Sequence, residues 1–119
     1  MAEISLAIRN IKESGDFGLI LTTGGTGFAE RDVTPEAVGP LIVKHASGII
    51  HAMFANTDNY LRYLSRPVAG LTSEGVLVIT LPGSPTAACE MFDAIAGLVP
   101  HVLQVRAGVT QTEISLRKY

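Results

Sequence analysis

The chain has 119 residues, room for one domain built on one core. Hydrophobic residues make up 47% against 17% charged, which excludes a disordered chain, and a net charge near −2 with no lysine- or arginine-rich block argues against nucleic acid as a partner. A lone cysteine, Cys89, rules out an internal disulfide, no run approaches the ~20 apolar residues of a membrane span, and the start, with Glu3 and no basic stretch, does not read as a signal peptide, so a cytoplasmic location is expected.

Ile4, Ala7, Ile8 and Ile11 recur at helical spacing among Glu3, Arg9, Asn10 and Lys12, which predicts an amphipathic helix over 4–12 that Gly15 ends. Phe17 to Leu21 is an unbroken apolar run too short for a helix, and it predicts a strand buried on both faces. Thr22 to Gly27 reads as a turn. Thr34 is placed to cap the next helix, with Pro35 at its first position, where a missing N–H costs nothing. Val38, Leu41 and Ile42 form the inward stripe of that helix, and Pro40 shortens or bends it.

Ser47-Gly48 reads as a break, Ile49 to Phe54 as helix, and residues 56–59 as an interruption before Tyr60, Leu61 and Leu64. Val68 to Leu71 and Val76 to Leu81 predict two strands of a hairpin that turns at Ser73 to Gly75. Ser84 and Pro85 repeat the cap-and-proline start of a helix, whose stripe runs through Ala88, Met91 or Phe92, and Ile95 before Gly97 ends it. Cys89 lies inside that pattern and is expected to be a buried, inert thiol. A short helix around Pro100 to Val105 follows, and residues 108–119 read as a tail or an edge strand.

Strands separated by helices indicate an α/β fold of three layers, a mostly parallel sheet with flanking helices and the small hairpin, in a single domain over 1–119. Ligands of such sheets bind at the carboxyl ends of the strands. Two strand–turn–helix junctions leave the sheet at that end, Gly24-Gly25-Thr26-Gly27 and Pro82-Gly83-Ser84-Pro85. The glycines let a ligand approach the backbone, the amides of such a turn make an anion cradle, and the helix starts add positive potential. Read singly, each junction is equally an ordinary tight turn; read together, they point to a phosphate. Neither matches a Walker loop or a dinucleotide fingerprint.

Asp32 follows the first junction, and its charge would repel a phosphate unless a cation lay between them; magnesium, with its oxygen ligands, resolves that conflict. Arg31 and Arg66 are available to neutralise phosphate, whereas His45, His51 and His101 show no metal-ligand spacing and read as surface or interface residues.

Residues 19–37, Leu-Ile-Leu-Thr-Thr-Gly-Gly-Thr-Gly-Phe-Ala-Glu-Arg-Asp-Val-Thr-Pro-Glu-Ala, closely resemble the signature of the molybdopterin adenylyltransferases, which include bacterial enzymes and the G domains of the plant enzyme and of gephyrin. Further matches are Leu64-Ser65-Arg66-Pro67-Val68, Leu81-Pro82-Gly83-Ser84-Pro85 and Leu98-Val99-Pro100-His101, so the similarity covers nearly the whole chain. The resemblance implies molybdenum cofactor biosynthesis: magnesium-dependent transfer of AMP from ATP to the terminal phosphate of molybdopterin, with loss of pyrophosphate. It implies that Gly24, Gly25, Thr26 and Gly27 line the phosphate and pterin pocket. Asp32 would place magnesium and the reacting phosphates, and Thr34 and Glu36 would shape the site's edge. Gly83 and Ser84 would bind a phosphate from the second junction, with Ser65 and Arg66 as further binding residues.

A homotrimer and a partner enzyme or domain that inserts molybdate are also implied. The family pattern places a strand–helix–strand unit, about 30 residues or more, ahead of the helix with which this chain starts, and that unit supplies a second acidic residue and one pocket wall. Ser47 and His51 depart from the family pattern on the adenine side. Two other functions are compatible with these residues. One is a non-catalytic molybdopterin-binding or oligomer-scaffolding module. The other is a molybdate-insertion relative, whose signature lacks the Arg-Asp-Val-Thr-Pro-Glu run found here at 31–36.

Overall fold

The computed structural model describes residues 1–55 and 57–106, and the tail or edge strand expected at 108–119 lies outside them. In chain order the helices are α1 (Ala2–Ser14), α2 (Thr34–Val38), α3 (Ser47–Met53), α4 (Pro85–Ile95) and α5 (Val99–Arg106). The strands are β1 (Leu19–Thr23), β2 (Ile42–His45), β3 (Ala69–Thr72) and β4 (Leu77–Leu81). Single 3-10 turns cover Gly39–Leu41 and Tyr60–Leu64.

The sheet order is β1-β4-β3-β2. β1 runs parallel to β4, with Leu19 beside Leu77 and Thr23 beside Leu81. The β3–β4 hairpin forms as expected, with Ala69 opposite Ile79. β2 folds back antiparallel to β3, its register slipping between Ile42 and Lys44. The α/β class therefore holds, and among the described strands one pairing is parallel and two are antiparallel.

All five residues of β4 are buried, as a strand covered on both faces requires. Val78, with Val76 just ahead of the strand, packs toward Ile8 of α1, Ile20 of β1, Val38 of α2 and Ile42. Leu77, Ile79 and Leu81 face the other way, onto Ile49 and Met53 of α3, Met91 and Ile95 of α4, and Val99 of α5. Burying an aliphatic side chain of this size contributes about 1.5–3 kcal/mol. Two helical layers thus sandwich the sheet, and β4 is the element on which both cores converge.

Several expectations are corrected. The first strand begins two residues later than the apolar run and is the outermost of the described strands, with Leu21 40% exposed rather than buried on both faces. The helical stripe of α1 buries Ile8 but leaves Ile11 37% exposed. It buries Lys12 instead, whose Nζ donates to both carboxylate oxygens of Glu74 at 2.8 Å. Residues 42–45 continue no helix but form β2, because Pro40 ends the helical run in a 3-10 turn. Ser47-Gly48 opens α3 rather than breaking the chain. Cys89 sits on the solvent side of α4 and is exposed. Gly15, in contrast, ends α1 in the left-handed conformation (φ +78°), as its position predicts. No single helix among the described residues is long and apolar enough to cross a membrane.

Candidate functional site

Parallel pairing puts the ends of β1 and β4 side by side, so both junctions leave the sheet at one place. They touch directly. The Gly24 N–H donates to the Leu81 carbonyl at 2.9 Å. A Cβ on Gly83 would stand 3.3 Å from the Gly24 Cα, so the two corners are packed glycine against glycine.

Beyond Gly24 the first junction folds over the start of α2. Gly25 has φ +70°, and a Cβ there would collide with the Thr34 hydroxyl, while the Thr34 N–H donates to the Gly25 carbonyl at 3.0 Å. Thr34 is therefore a buried buttress and not a helix cap. Val33 occupies the cap position, no side chain caps that end, and Pro35 keeps its predicted place at the helix start. The second junction follows the simpler expectation: Ser84 is the N-cap of α4, its Oγ accepting from the Ala87 N–H at 3.4 Å.

The glycine loop is held from a distance by Ser65 and Arg66. The Thr26 hydroxyl, 3% exposed, shares a 2.8 Å hydrogen bond with that of Ser65. The Arg66 N–H donates to the Thr26 carbonyl at 2.8 Å. Nε and Nη2 of Arg66 both donate to the Gly27 carbonyl, at 2.9 and 2.7 Å, and Nη2 also reaches the Asp32 carbonyl at 3.0 Å. The same guanidinium grips the Glu36 carboxylate, with Nη1 to Oε2 at 2.6 Å, and lies 5.3 Å from the centre of the Phe28 ring. The hydrogen bond from Arg66 holds the Glu36 carboxyl below the ordinary carboxylate range, and Glu36 in turn raises the guanidinium's pKa.

Between the two junctions lies an open cleft of about 330 Å³, lined by Gly25, Thr26, Gly27, Asp32, Leu64, Ser65, Pro82 and Gly83. Asp32 is the one carboxylate in that lining. Its Oδ2 accepts from the Ala29 N–H at 3.0 Å and stands 2.7 Å from where a Gly27 Cβ would be, so a side chain there would displace the carboxylate. Among the described residues no backbone carbonyl takes the N–H groups of Gly25, Thr26 or Gly27. Unclaimed amides in a glycine turn are a ready anion cradle.

The structure brings together Gly25, Thr26, Gly27, Asp32, Ser65 and Gly83. Gly24 and Thr34 face instead a second groove of about 480 Å³ behind the loop, which Arg31 and residues of α1 and β1 also line. Arg31 makes no ion pair among the described residues, whereas Arg66 is engaged in holding the loop. Glu36 and Ser84 stand outside the cleft lining, as do Ser47 and His51 on α3. Leu64 and Pro82 complete the wall; both lie in motifs that the sequence singled out, beside Ser65 and in the second junction, but neither was named as a site residue. The described residues hold no cluster of three or more His, Cys, Asp or Glu side chains suited to a metal. A single carboxylate in a cleft with unclaimed amides does fit magnesium carried in with a nucleotide, because that ion keeps its waters and takes only one or two protein carboxylates beside substrate phosphates.

Residues 1–101 match the family described as "Probable molybdopterin binding domain". The chain is 45% identical over 89 residues to gephyrin of Dictyostelium discoideum, an alignment covering 73% of this chain and 12% of gephyrin. It is also 45% identical over 78 residues to molybdenum cofactor biosynthesis protein B of Staphylococcus aureus, covering 58% of this chain and 43% of that protein. The fold superposes on the molybdopterin biosynthesis enzyme MoaB of Thermus thermophilus with a TM-score of 0.82 at 36% identity, over 90% of this chain and 68% of the other. The chain thus spans under half the length of these curated relatives. With the signature loop, the paired junctions and the fold in agreement, the chain belongs to the molybdopterin-binding domain family of molybdenum cofactor biosynthesis.

Proposed function

We propose that the cleft between the two junctions serves the magnesium-dependent transfer of AMP from ATP to the terminal phosphate of molybdopterin. The carrying observation is the convergence of Gly25, Thr26, Gly27, Asp32, Ser65 and Gly83 on one cleft. A molybdopterin phosphate oxygen attacks the α-phosphorus of ATP, the α–β anhydride bond breaks, and pyrophosphate leaves. Such a transfer needs alignment and charge stabilisation rather than a protein nucleophile. The amides of Gly25 to Gly27 cradle phosphate oxygens, and the start of α4 adds positive potential from the far side.

Asp32 would hold a magnesium ion that accompanies the nucleotide, which would supply neutralisation of phosphate charge. Arg66 keeps the loop and Asp32 in place through the Gly27 and Asp32 carbonyls. A cleft of about 330 Å³ is near the lower end of small-molecule sites, so it takes the phosphates and leaves the pterin and adenine on its rim. Working as a cytoplasmic homotrimer that passes its product to a molybdate-inserting enzyme or domain completes this reading.

The test is AMP transfer by the purified protein from ATP to molybdopterin in magnesium. Turnover that falls about 100-fold in Asp32→Asn, with thermal stability unchanged, supports the proposal; equal turnover in the variant ends it. A second reading, a binding module without turnover, draws on Asp32 being the single carboxylate among the residues that line the cleft. Calorimetry that finds molybdopterin bound, Asp32-dependent and unconverted would select it.

A further inference from the structure

At the opposite end of the sheet from the glycine cleft lies a cleft of about 600 Å³ between α5 and the β2–β3 ribbon. The length of β4, about 13 Å at ~3.3 Å per residue, separates the two. Its walls are apolar: Val43 and Leu71 from the strands, Val102 and Val105 from α5. Val43 and Val105 are 61% and 56% exposed, so these walls stand open. Among the described residues that line it are three basic side chains, Lys44, His101 and Arg106, with Thr72 and Ser73, and no carboxylate.

The basic groups are placed by the fold. Lys44 sits on β2 opposite Leu71. His101, Val102, Val105 and Arg106 follow helical spacing and share one face of α5. Arg106 is admitted by two glycines: a Cβ on Gly18 would stand 2.9 Å from Nη2, and one on Gly75 would stand 3.6 Å from Nη1. Arg106 also borders an adjoining groove with Glu13, Asp16 and Glu74, of which Glu74 is held by Lys12; none of the three lines this cleft. Among the described residues, neither Lys44 nor Arg106 has an ion-pair partner.

We infer that this cleft is a second ligand site, independent of the glycine cleft, and that it takes a small organic anion: an apolar, ring-sized body carrying a carboxylate, sulfonate or phosphate. The volume falls within the range of small-molecule sites, about 300–1,000 Å³. Apolar walls bind the body, and Lys44 and Arg106 bind the charged head, Arg106 through its planar fork.

The probe is 8-anilinonaphthalene-1-sulfonate, compared with N-phenyl-1-naphthylamine, which has the same rings and no charge. Fluorescence titration of the full chain is expected to give one site that prefers the sulfonate. The double variant Lys44→Gln, Arg106→Gln is expected to weaken the sulfonate about tenfold or more. Binding of the neutral probe, the melting curve and nucleotide binding at the glycine cleft should stay unchanged. Val102→Glu, which puts a carboxylate in the wall, serves as a second variant and should abolish sulfonate binding. Sulfonate affinity unchanged in the double variant, a sulfonate displaced by ATP, or no saturable site at all would each overturn the inference. Loss of AMP transfer alone would count against the proposed function and leave this site standing.

Discussion

The two junctions do the same job in unequal ways. The second is short and local: β4 ends, Pro82 and Gly83 turn, and Ser84 caps α4 from three residues away. The first spans Gly24 to Thr34 and is held by side chains 30 to 39 residues distant in sequence, the Arg66–Glu36 pair, the Arg66–Gly27 contacts and the Thr26–Ser65 bond among them. A turn that merely redirects the chain needs only its own residues. A loop that keeps its amides unclaimed must be supported from elsewhere, and Arg66 is that support.

Substitutions sharpen this contrast. Gly25→Ala is expected to do the most damage, because it forces a side chain into φ +70° and against the Thr34 hydroxyl. About 3 kcal/mol of stability should be lost, read from urea denaturation. The matched change in the short junction, Gly83→Ala, meets only a tight 3.3 Å contact and should cost about 1 kcal/mol. Equal losses at the two positions would erase the distinction between the junctions.

Arg66→Lys comes next. It keeps the charge but loses the fork that reaches Gly27, Asp32 and Glu36 together. The proposed AMP transfer should slow about 100-fold, since misplacement by about 1 Å has that effect. Hydrogen exchange should quicken over residues 24–34 and stay unchanged at the start of α4. Faster exchange at both junctions would show that Arg66 supports the fold and not the loop.

Ser84→Ala should remove one cap, about 1 kcal/mol, with the glycine loop undisturbed in hydrogen exchange. The smallest effect is a pH dependence at the far end of the sheet. The hydrogen bond from Lys12 lowers the Glu74 carboxyl to about 2. A group whose folded pKa is depressed adds stability that is complete above its unfolded pKa and lost as pH falls through the folded one. Acid titration should therefore show a loss of stability from about pH 4.5 toward pH 2 that Glu74→Gln lacks. Loop exchange should not follow that titration.

Local signals carried most of what the sequence revealed. Gly15, the β3–β4 hairpin, the Ser84-Pro85 start and both glycine turns were legible because each is decided by neighbouring residues. β2 was not: three of its four residues are exposed, and Ile42 prolongs the spacing of the preceding helix. Lys12 sits where α1 should be apolar, and only its distant partner Glu74 explains its burial. Cys89 erred the other way, placed among apolar residues yet turned outward. At the site, residue types announced a phosphate cradle, but Thr34 resembled a cap, and the support from Arg66 depends on contacts that only the folded chain creates.

The seam where Gly24 meets Gly83 joins two positions 59 apart in sequence that are glycine for different reasons. A Cβ on Gly83 would press to 3.3 Å on the Gly24 Cα, beside the link from the Gly24 amide to Leu81, whereas a Cβ on Gly24 would keep an ordinary 3.9 Å from Gly83 and be opposed instead by the backbone at φ +93°. A library randomised at both should therefore keep glycine at 24 for its left-handed backbone and admit only small residues at 83, so the floor of this pocket can be reshaped from the second corner and not from the first.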